Sequence, residues 1–165
     1  MPTISTNKPR ENWEALVKQK AGRCLDLGCG FGADAFWFAN NSWQVDAIDT
    51  NDTLKFPHTN INFIQLDLKN IDFDKFGKYD FIIACYVLHF LEPKYSFSLA
   101  KKLISMLNSK GILYIKTFEK FFTLDWQELF KTARVYKYIQ HDNHQPEGKH
   151  IHQVIKIIYQ KNDKV

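Results

Sequence analysis

Three glycines at alternate positions follow a short apolar run near the start of the chain, and an aspartate lies inside that run. The run is residues 24–27, the glycines are Gly28, Gly30 and Gly32, and Asp26 lies two residues before the first of them. Glycines allow a sharp turn and let the backbone approach a ligand closely, and the N–H groups of a following helix start face that ligand as donors. Because a carboxylate at position 26 would repel a pyrophosphate, the pattern favours a ligand carrying an ammonium and a sulfonium.

Two more aspartates lie directly after predicted strands. Asp49 follows the strand at 43–48, and Asp67 follows the strand at 61–66. In open α/β sheets a ligand binds beyond the carboxyl ends of the strands. One such carboxylate is more often a turn or helix cap, and all three are candidates for contact with a ligand at this rim. Neighbouring residues of the same strand ends complete the predicted site: Cys29, Thr50, Leu68, Ala84 and Cys85.

A second group of candidates follows the strand predicted at 79–85. Tyr86, His89 and Phe90 have the spacing of one helical face, so we expect them to look into one pocket. An imidazole with an ordinary pKa of about 6.5 is suited to accept a proton at neutral pH. Tyr86 and His89 are therefore the catalytic candidates, although His89 could instead cap a helix or donate to a carbonyl.

The last third of the chain offers candidates for substrate contact. Glu119 is the only acid just after the fifth predicted strand, and His144, His150 and His152 surround a polar loop. Residues 150 and 152 would share one face of a strand. They could form a two-imidazole metal clip, line a substrate site or belong to a solvated loop. We expect contact with the substrate and no metal.

The elements that must position these residues alternate between strands and helices. This alternation predicts a single-domain, doubly wound, mostly parallel sheet of seven strands, whose last strand is antiparallel because no helix precedes it. The predicted strands span residues 23–27, 43–48, 61–66, 79–85, 112–117, 135–140 and 152–160, and the predicted helices span 9–20, 33–40, 69–76, 95–107 and 125–133.

Length and composition narrow the class of protein. With 165 residues, 45% of them hydrophobic, we expect one domain over 1–165, with a loose segment at 1–8, a leading helix at 9–20 and a core at 23–160. A net charge of +4 is too mild to indicate a nucleic-acid partner. Three cysteines without metal-type spacing indicate reduced thiols and a cytoplasmic protein. We find no apolar run of membrane-spanning length.

The string from Asp26 to Gly32, D-x-G-x-G-x-G, resembles the first motif of class I S-adenosylmethionine-dependent methyltransferases. The resemblance covers about residues 23–159 and implies a Rossmann-like methyltransferase fold. It also implies that Asp49 binds the ribose hydroxyls, that Asp67 contacts the adenine amino group and that residues 84–90 pass the methionine end of S-adenosylmethionine. The chain is similar to short bacterial members, including the tellurite-resistance type.

This resemblance implies transfer of a methyl group from S-adenosylmethionine to a small-molecule acceptor by in-line displacement. The proline pair of enzymes that methylate base amines is absent after the fourth strand, and Cys85 and Tyr86 stand where the metal-dependent catechol type needs a carboxylate. Two alternatives remain open. The glycines could be parsed as the G-x-G-x-x-A of a nicotinamide-dependent oxidoreductase, or the fold could serve as a non-catalytic module that binds protein or RNA.

Overall fold

A seven-stranded sheet forms the centre of the molecule. The computed structural model describes residues 8–52, 58–144 and 148–163, with the backbone alone at 143 and 144. The strands are β1 (Arg23–Leu27), β2 (Gln44–Asp49), β3 (Ile61–Gln65), β4 (Tyr79–Cys85), β5 (Leu107–Phe118), β6 (Arg134–His144) and β7 (Gly148–Gln160). Their order is β3-β2-β1-β4-β5-β7-β6. The pairs among β1 to β5 are parallel, whereas β7 is antiparallel to both β5 and β6. The predicted fold class is confirmed.

Four α-helices and several single 3₁₀ turns connect the strands of the described residues. The helices are α1 (Trp13–Leu16), α2 (Ala33–Asn40), α3 (Pro93–Ser105) and α4 (Leu124–Leu129). The proline that opens α3 suits the first helical position, since a helix gives that residue's N–H no partner. None of the described helices is long and apolar enough to cross a bilayer.

Three predicted elements are wrong. The leading helix at 9–20 is a single turn over 13–16, because buried Trp13 anchors this segment by side-chain packing rather than along a helical face. The helix at 69–76 is replaced by two 3₁₀ turns, each capped by an aspartate side chain, Asp67 and Asp72. The His-rich loop is largely strand, since β6 extends to residue 144 and β7 begins at 148.

The two faces of the sheet carry different cores. Under α3 and α4 the core is rich in leucine and isoleucine. On the other face, α1 and α2 cover an aromatic cluster of Trp13, Phe38, Trp43, Phe81 and Tyr114, in which the Trp13 and Tyr114 ring centroids lie 4.8 Å apart. These aromatic residues therefore build the core and are not available as stacking platforms for bases.

The rim at the amino ends of the parallel strands is held by Asp80. One oxygen of this carboxylate accepts from the backbone N–H of Arg23 at 2.8 Å, and the other accepts from the side chain of Asn108 at 2.8 Å. Asp80 thus ties the starts of β1, β4 and β5 together. The opposite rim is left for the ligand.

Candidate cofactor and acceptor site

A cavity of about 500 Å³ opens at the carboxyl ends of β1, β2 and β4. The chain runs from β1 outward to β2 on one side and later returns to β4 on the other, so the cavity lies at the switch point where a ligand is expected. Its lining residues are Arg10, Gly28, Gly30, Ile48, Asp49, Thr50, Asn51, Leu66, Asp67, Leu68, Lys69, Cys85, Tyr86, Val87, Phe90 and Leu91.

The first glycine of the loop has a left-handed backbone conformation and no room for a side chain. Gly28 has φ +66°, and a Cβ added there would lie 2.7 Å from a methyl carbon of Val87. The N–H groups of Gly28 and Cys29 both donate to the carbonyl of Ile48, at 2.8 and 3.0 Å. These bonds hold the turn against β2, so the loop backbone forms one wall of the cavity.

Asp49, the last residue of β2, is held in place by the backbone around it. Its Oδ2 accepts from the Gly30 N–H at 2.9 Å, and its Oδ1 accepts from the Asn51 N–H at 3.0 Å. A carboxylate has about four lone-pair sites, so each oxygen retains acceptor capacity on the cavity side. The group is suited to accept from two adjacent hydroxyls.

The next strand end supplies a capping aspartate and apolar walls. Asp67 accepts from the Lys69 N–H at 2.9 Å and caps the following 3₁₀ turn, while it also lines the cavity. Asp67 therefore acts as a helix cap, which was the alternative considered for such a carboxylate, and it also lies at the cavity. Beside it, Ile48, Leu66 and Leu68 form apolar lining that suits the faces of an aromatic ring.

Asp26 was predicted to contact the cofactor, but it does not lie on the cavity wall. Its side chain is fully buried under the loop. Neither of its oxygens has a hydrogen-bond partner at normal distance within the described residues. The backbone N–H of Ala35 nevertheless acts to lower the pKa of this carboxyl. Burial, with the Asp34 carboxylate adding to it, raises the pKa of Asp26 to about 8, and the Arg10 guanidinium opposes the shift. Asp26 therefore acts on the site through Arg10 and not by contact in this conformation.

Arg10 is the residue that sequence reasoning missed. Its backbone N–H donates to Asp34 Oδ1 at 2.8 Å, and its Nη1 donates to the carbonyls of Cys85 at 3.2 Å and Gly28 at 3.4 Å. The guanidinium thus bridges the ends of β1 and β4 inside the cavity. No local pattern marks a lone arginine whose partners lie 18 to 75 residues away.

The other predicted cofactor residues divide into two groups. Gly28, Gly30, Asp49, Thr50, Asp67, Leu68 and Cys85 line the cavity. Cys29, Gly32 and Ala84 are buried behind it, where they shape the backbone of the loop and of β4.

Tyr86 lies at the end of β4 in a strained backbone conformation. Its φ is +52°, which is unusual for a bulky residue and common at functional sites. Its hydroxyl donates to Gln140 Oε1 at 2.7 Å on β6. Burial, followed by the neighbouring Tyr138, raises the pKa of Tyr86 well above its usual value. It therefore stays protonated, which suits it to donate a hydrogen bond and not to act as a base.

His89 lies one layer behind the cavity lining, in a 3₁₀ turn at 88–90 and not on the predicted helical face. Its ring centroid is 4.1 Å from that of Phe90, 4.7 Å from Phe118 and 6.3 Å from Tyr86. Its Nδ1 is buried and has no hydrogen-bond partner within the described part of the chain. Burial, then Lys120 and His152, lowers the pKa of His89, so the imidazole is neutral at pH 7.

The predicted substrate residues lie in different environments. Glu119 pairs with Lys137 at 2.6 Å and is not among the residues that line the cavity. His150 and His152 share one face of β7 as predicted, with ring centroids 4.6 Å apart. His152 also stacks on Phe118, with a centroid distance of 4.6 Å. The side chain of His144 lies outside the described residues.

A doubly wound sheet with a reversed last strand, carrying its ligand cavity at the switch point, is the architecture of class I methyltransferases. The family model described as a methyltransferase domain matches residues 6–155, and the chain belongs to this family. The predicted assignment to the S-adenosylmethionine-dependent methyltransferases is thereby confirmed, and the antiparallel β7 argues against the nicotinamide-dependent alternative.

Known relatives share the domain and the fold. YqeM, a methyltransferase-type protein of Bacillus subtilis (strain 168), is 29% identical over 132 residues, which are 72% of this chain and 52% of YqeM. The chain thus spans about half the length of this curated relative. The solved structure of TehB from Haemophilus influenzae superposes with a TM-score of 0.68 at 19% identity, over 85% of this chain and 57% of TehB.

A second solved structure has ligands bound. The 1,6-didemethyltoxoflavin-N1-methyltransferase of Burkholderia thailandensis contains 1,6-didemethyltoxoflavin and S-adenosylhomocysteine. It superposes with a TM-score of 0.60 at 16% identity, over 87% of this chain and 72% of that enzyme. At such identities the likeness shows the shared fold.

Proposed function

We propose that this chain binds S-adenosylmethionine in the switch-point cavity and transfers its methyl group to a small-molecule acceptor. The observation that carries the proposal is the division of one cavity into three chemical parts. Asp49 is an oriented carboxylate at one end, and Leu66 and Leu68 offer apolar surface beside it. Arg10 stands at the other end, where its guanidinium donates to the carbonyls of Gly28 and Cys85.

Each part of the cavity matches a part of the cofactor. The ribose hydroxyls would donate to Asp49, and the adenine ring would lie against the apolar wall with Asp67 near its amino group. The methionine ammonium would donate to the carbonyls of Gly28 and Cys85, which Arg10 now occupies. The Arg10 guanidinium would then pair with the methionine carboxylate, since a planar fork binds a carboxylate well.

The acceptor would approach from the side bounded by Tyr86 and Phe90. Both side chains line the cavity, and Phe90 is 75% exposed. Behind them, His89, Phe118 and His152 continue an aromatic wall that leads to the β6–β7 hairpin. A wall of this composition favours a flat or apolar acceptor. The Burkholderia thailandensis enzyme of similar fold acts on a small molecule, 1,6-didemethyltoxoflavin.

The reaction needs little from the protein beyond position. The acceptor's lone pair forms a bond to the methyl carbon while the carbon–sulfur bond breaks, and sulfur leaves as a neutral thioether. Holding the two reactants in line can contribute effective molarities of roughly 10⁵ to 10⁸ M. A neutral amine or hydroxyl acceptor also loses a proton, which neutral His89, behind the cavity lining, would take through one water.

Methyl transfer from labelled cofactor tests the proposal directly. Purified protein is incubated with methyl-labelled S-adenosylmethionine and a panel of phenols, heteroaromatic amines and thiols. We expect S-adenosylhomocysteine and a methylated product in equal amounts with at least one acceptor. Saturable cofactor binding without any turnover across the panel would favour the non-catalytic binding module, whereas no cofactor binding would refute the proposal.

A further inference from the structure

A cluster of potential metal ligands lies on the β6–β7 hairpin, outside the cofactor cavity. Asp142 pairs directly with His150 in the antiparallel register, and Gln140 pairs with His152. Alternate residues of a strand point to the same face, so Asp142, His150 and His152 are neighbours on one face. One ligand atom from each of the three lies within 4.8 Å of the other two, and all three side chains are half-buried.

The distances between these atoms fit a small cation. His150 Nε2 and His152 Nε2 are 2.9 Å apart, and His152 Nε2 is 3.6 Å from Asp142 Oδ2. Nitrogen and oxygen ligands at zinc-type bond lengths of about 2.0 to 2.1 Å in a tetrahedron lie about 3.3 Å apart. The two measured spacings bracket this value, so a small movement of side chains would complete three corners.

The ligands are also held by the outer contacts typical of metal sites. His150 Nδ1 lies 2.8 Å from the carbonyl oxygen of Gly148. Because a carbonyl can only accept, Nδ1 carries the proton and Nε2 presents its lone pair to the cluster. Gln140 Nε2 donates to both oxygens of Asp142, at 3.0 Å each. Such contacts fix the orientation and tautomer of metal-binding histidines and carboxylates.

The cluster is connected to the acceptor side of the methyltransferase site. Gln140, which orients Asp142, also accepts the hydrogen bond from Tyr86. His152 stacks on Phe118, which in turn contacts His89. A cation held there would face the same wall that we assign to the acceptor.

We propose that Asp142, His150 and His152 bind one divalent transition-metal ion of the zinc type, with a coordination position left open towards the acceptor side. Two imidazoles and a carboxylate suit zinc and its neighbours in the first transition row, and three protein ligands are the pattern of sites that keep an open position. The proposal reverses the expectation of no metal at this hairpin, which did not include Asp142. It stands apart from the proposed cofactor site.

Metal titration of the untagged protein tests this site. Protein stripped with a chelator is titrated with Zn²⁺ by calorimetry and with Co²⁺ by visible absorption. We expect one equivalent of Zn²⁺ per chain and a Co²⁺ spectrum of four- or five-coordinate intensity. Asp142→Ala and His152→Ala should each weaken Zn²⁺ binding by about a hundredfold or more, because each removes one of three ligands and loss of an outer contact alone costs about 10- to 100-fold.

His141→Ala is the matched control, since His141 pairs with Ile151 and points to the other face of the hairpin. It should bind Zn²⁺ as the parent does. Circular dichroism and thermal melts establish that every variant is folded. The proposal is overturned if the parent binds no Zn²⁺, or if all three variants bind it equally well. Cofactor titration of the same samples is an independent measurement, and its failure would bear on the proposed function alone.

Discussion

At the scale of single residues, Asp49 is the side chain on which cofactor affinity should depend most. Asp49→Ala removes an acceptor of two charge-assisted hydrogen bonds, each contributing roughly 1.5 to 3 kcal/mol. We expect the dissociation constant for S-adenosylmethionine to rise about a hundredfold or more, measured by calorimetry.

Two variants control this measurement. Asp49→Asn keeps one oxygen acceptor for the Gly30 N–H or the Asn51 N–H, so its loss should be smaller than that of alanine. Asp125→Ala removes an exposed carboxylate in the first turn of α4 and should bind as the parent does. Parent-like affinity in Asp49→Ala would refute the ribose assignment at β2.

His89 should affect turnover and not cofactor affinity. Its lowered pKa keeps the imidazole neutral and able to accept a proton at pH 7. With an amine or hydroxyl acceptor, His89→Ala should reduce kcat by roughly 10²-fold or more and leave the dissociation constant of the cofactor unchanged. With an acceptor that is already anionic, kcat should change little.

The pH profile separates the chemical role of His89 from a structural one. Because only neutral imidazole accepts a proton, kcat of the parent should rise with pH, with a midpoint below the ordinary imidazole pKa of about 6.5. His89→Ala should lack this rise. His58→Ala, at an exposed hydrogen bond to Asn40, is the control histidine. An unchanged profile in His89→Ala would assign His89 to packing alone.

At the scale of elements, the predictions succeeded where the pattern is local. Strands β1 and β4 and helix α2 have the predicted bounds, because continuous apolar runs and a glycine loop mark them directly. The leading helix was wrong because one buried tryptophan, not a helical face, holds that segment. The extent of β6 and β7 was also missed, since their polar ends are held in strand by each other and not by a core.

The residues of the candidate site also divide into those that a local sequence pattern predicts and those that only long-range contacts bring together. Asp49 and Gly28 follow strands and could be found from the sequence, whereas Arg10 and Asp142 could not. Arg10 reaches the cavity only because Asp34 and two distant carbonyls hold it. Asp142 joins the histidines only because the hairpin register places it opposite His150.

The glycine loop should tolerate no side chain at position 28. In Gly28→Ala the new Cβ meets Val87 at 2.7 Å in a left-handed backbone conformation. We expect unfolding free energy to fall by more than the 1 to 2 kcal/mol of that conformation alone, with loss of cofactor binding. Chemical denaturation and calorimetry measure the two effects.

Gly148→Ala separates the cost of the left-handed backbone conformation from the cost of the contact with Val87. Gly148 also has a positive φ, of +69°, but a Cβ there meets no atom of the described residues within 4 Å. Its loss of stability should stay within about 1 to 2 kcal/mol. Equal losses in the two variants would show that the contact with Val87 is easily relieved.

At the scale of the whole molecule, a buried charge network joins the first described residues to the centre of the sheet. Asp34 accepts from the Arg10 backbone and from the Trp13 indole at 2.7 Å, and Asp26 lies in the same network with its pKa raised. Glu11 anchors the segment from the other side, accepting from Tyr114 and Lys156 at 2.8 Å each. Through Arg10, this segment also reaches the cavity that we propose as the cofactor site.

This network predicts the direction in which stability changes with pH. The pKa of Asp26 rises on folding from 3.8 to about 8, so the folded state keeps a proton that the unfolded state has lost. The stability that this proton confers is complete below pH 3.8 and is lost as pH rises towards 8. From this group alone, the unfolding free energy should fall by about 1.4 kcal/mol per pH unit near pH 6.5, and by about half of that per unit at pH 8, where the folded carboxyl is half ionised.

Asp26→Asn tests the prediction because asparagine cannot ionise. Denaturation at pH 6.5 and pH 8 should show the parent losing stability relative to Asp26→Asn across this interval. Groups other than Asp26 that titrate in this interval, such as the His89 imidazole of the unfolded state, are common to both proteins, so their effect cancels in the comparison. Burial raises the pKa of Cys24, Cys29 and Cys85, so these thiols stay protonated in the folded state. Glu11→Gln is the control, since the pKa of Glu11 falls from 4.5 to about 2 and its contribution is lost only in acid. Its stability should run parallel to that of the parent, and a parallel course for Asp26→Asn as well would mean that Asp26 is ionised in the folded protein.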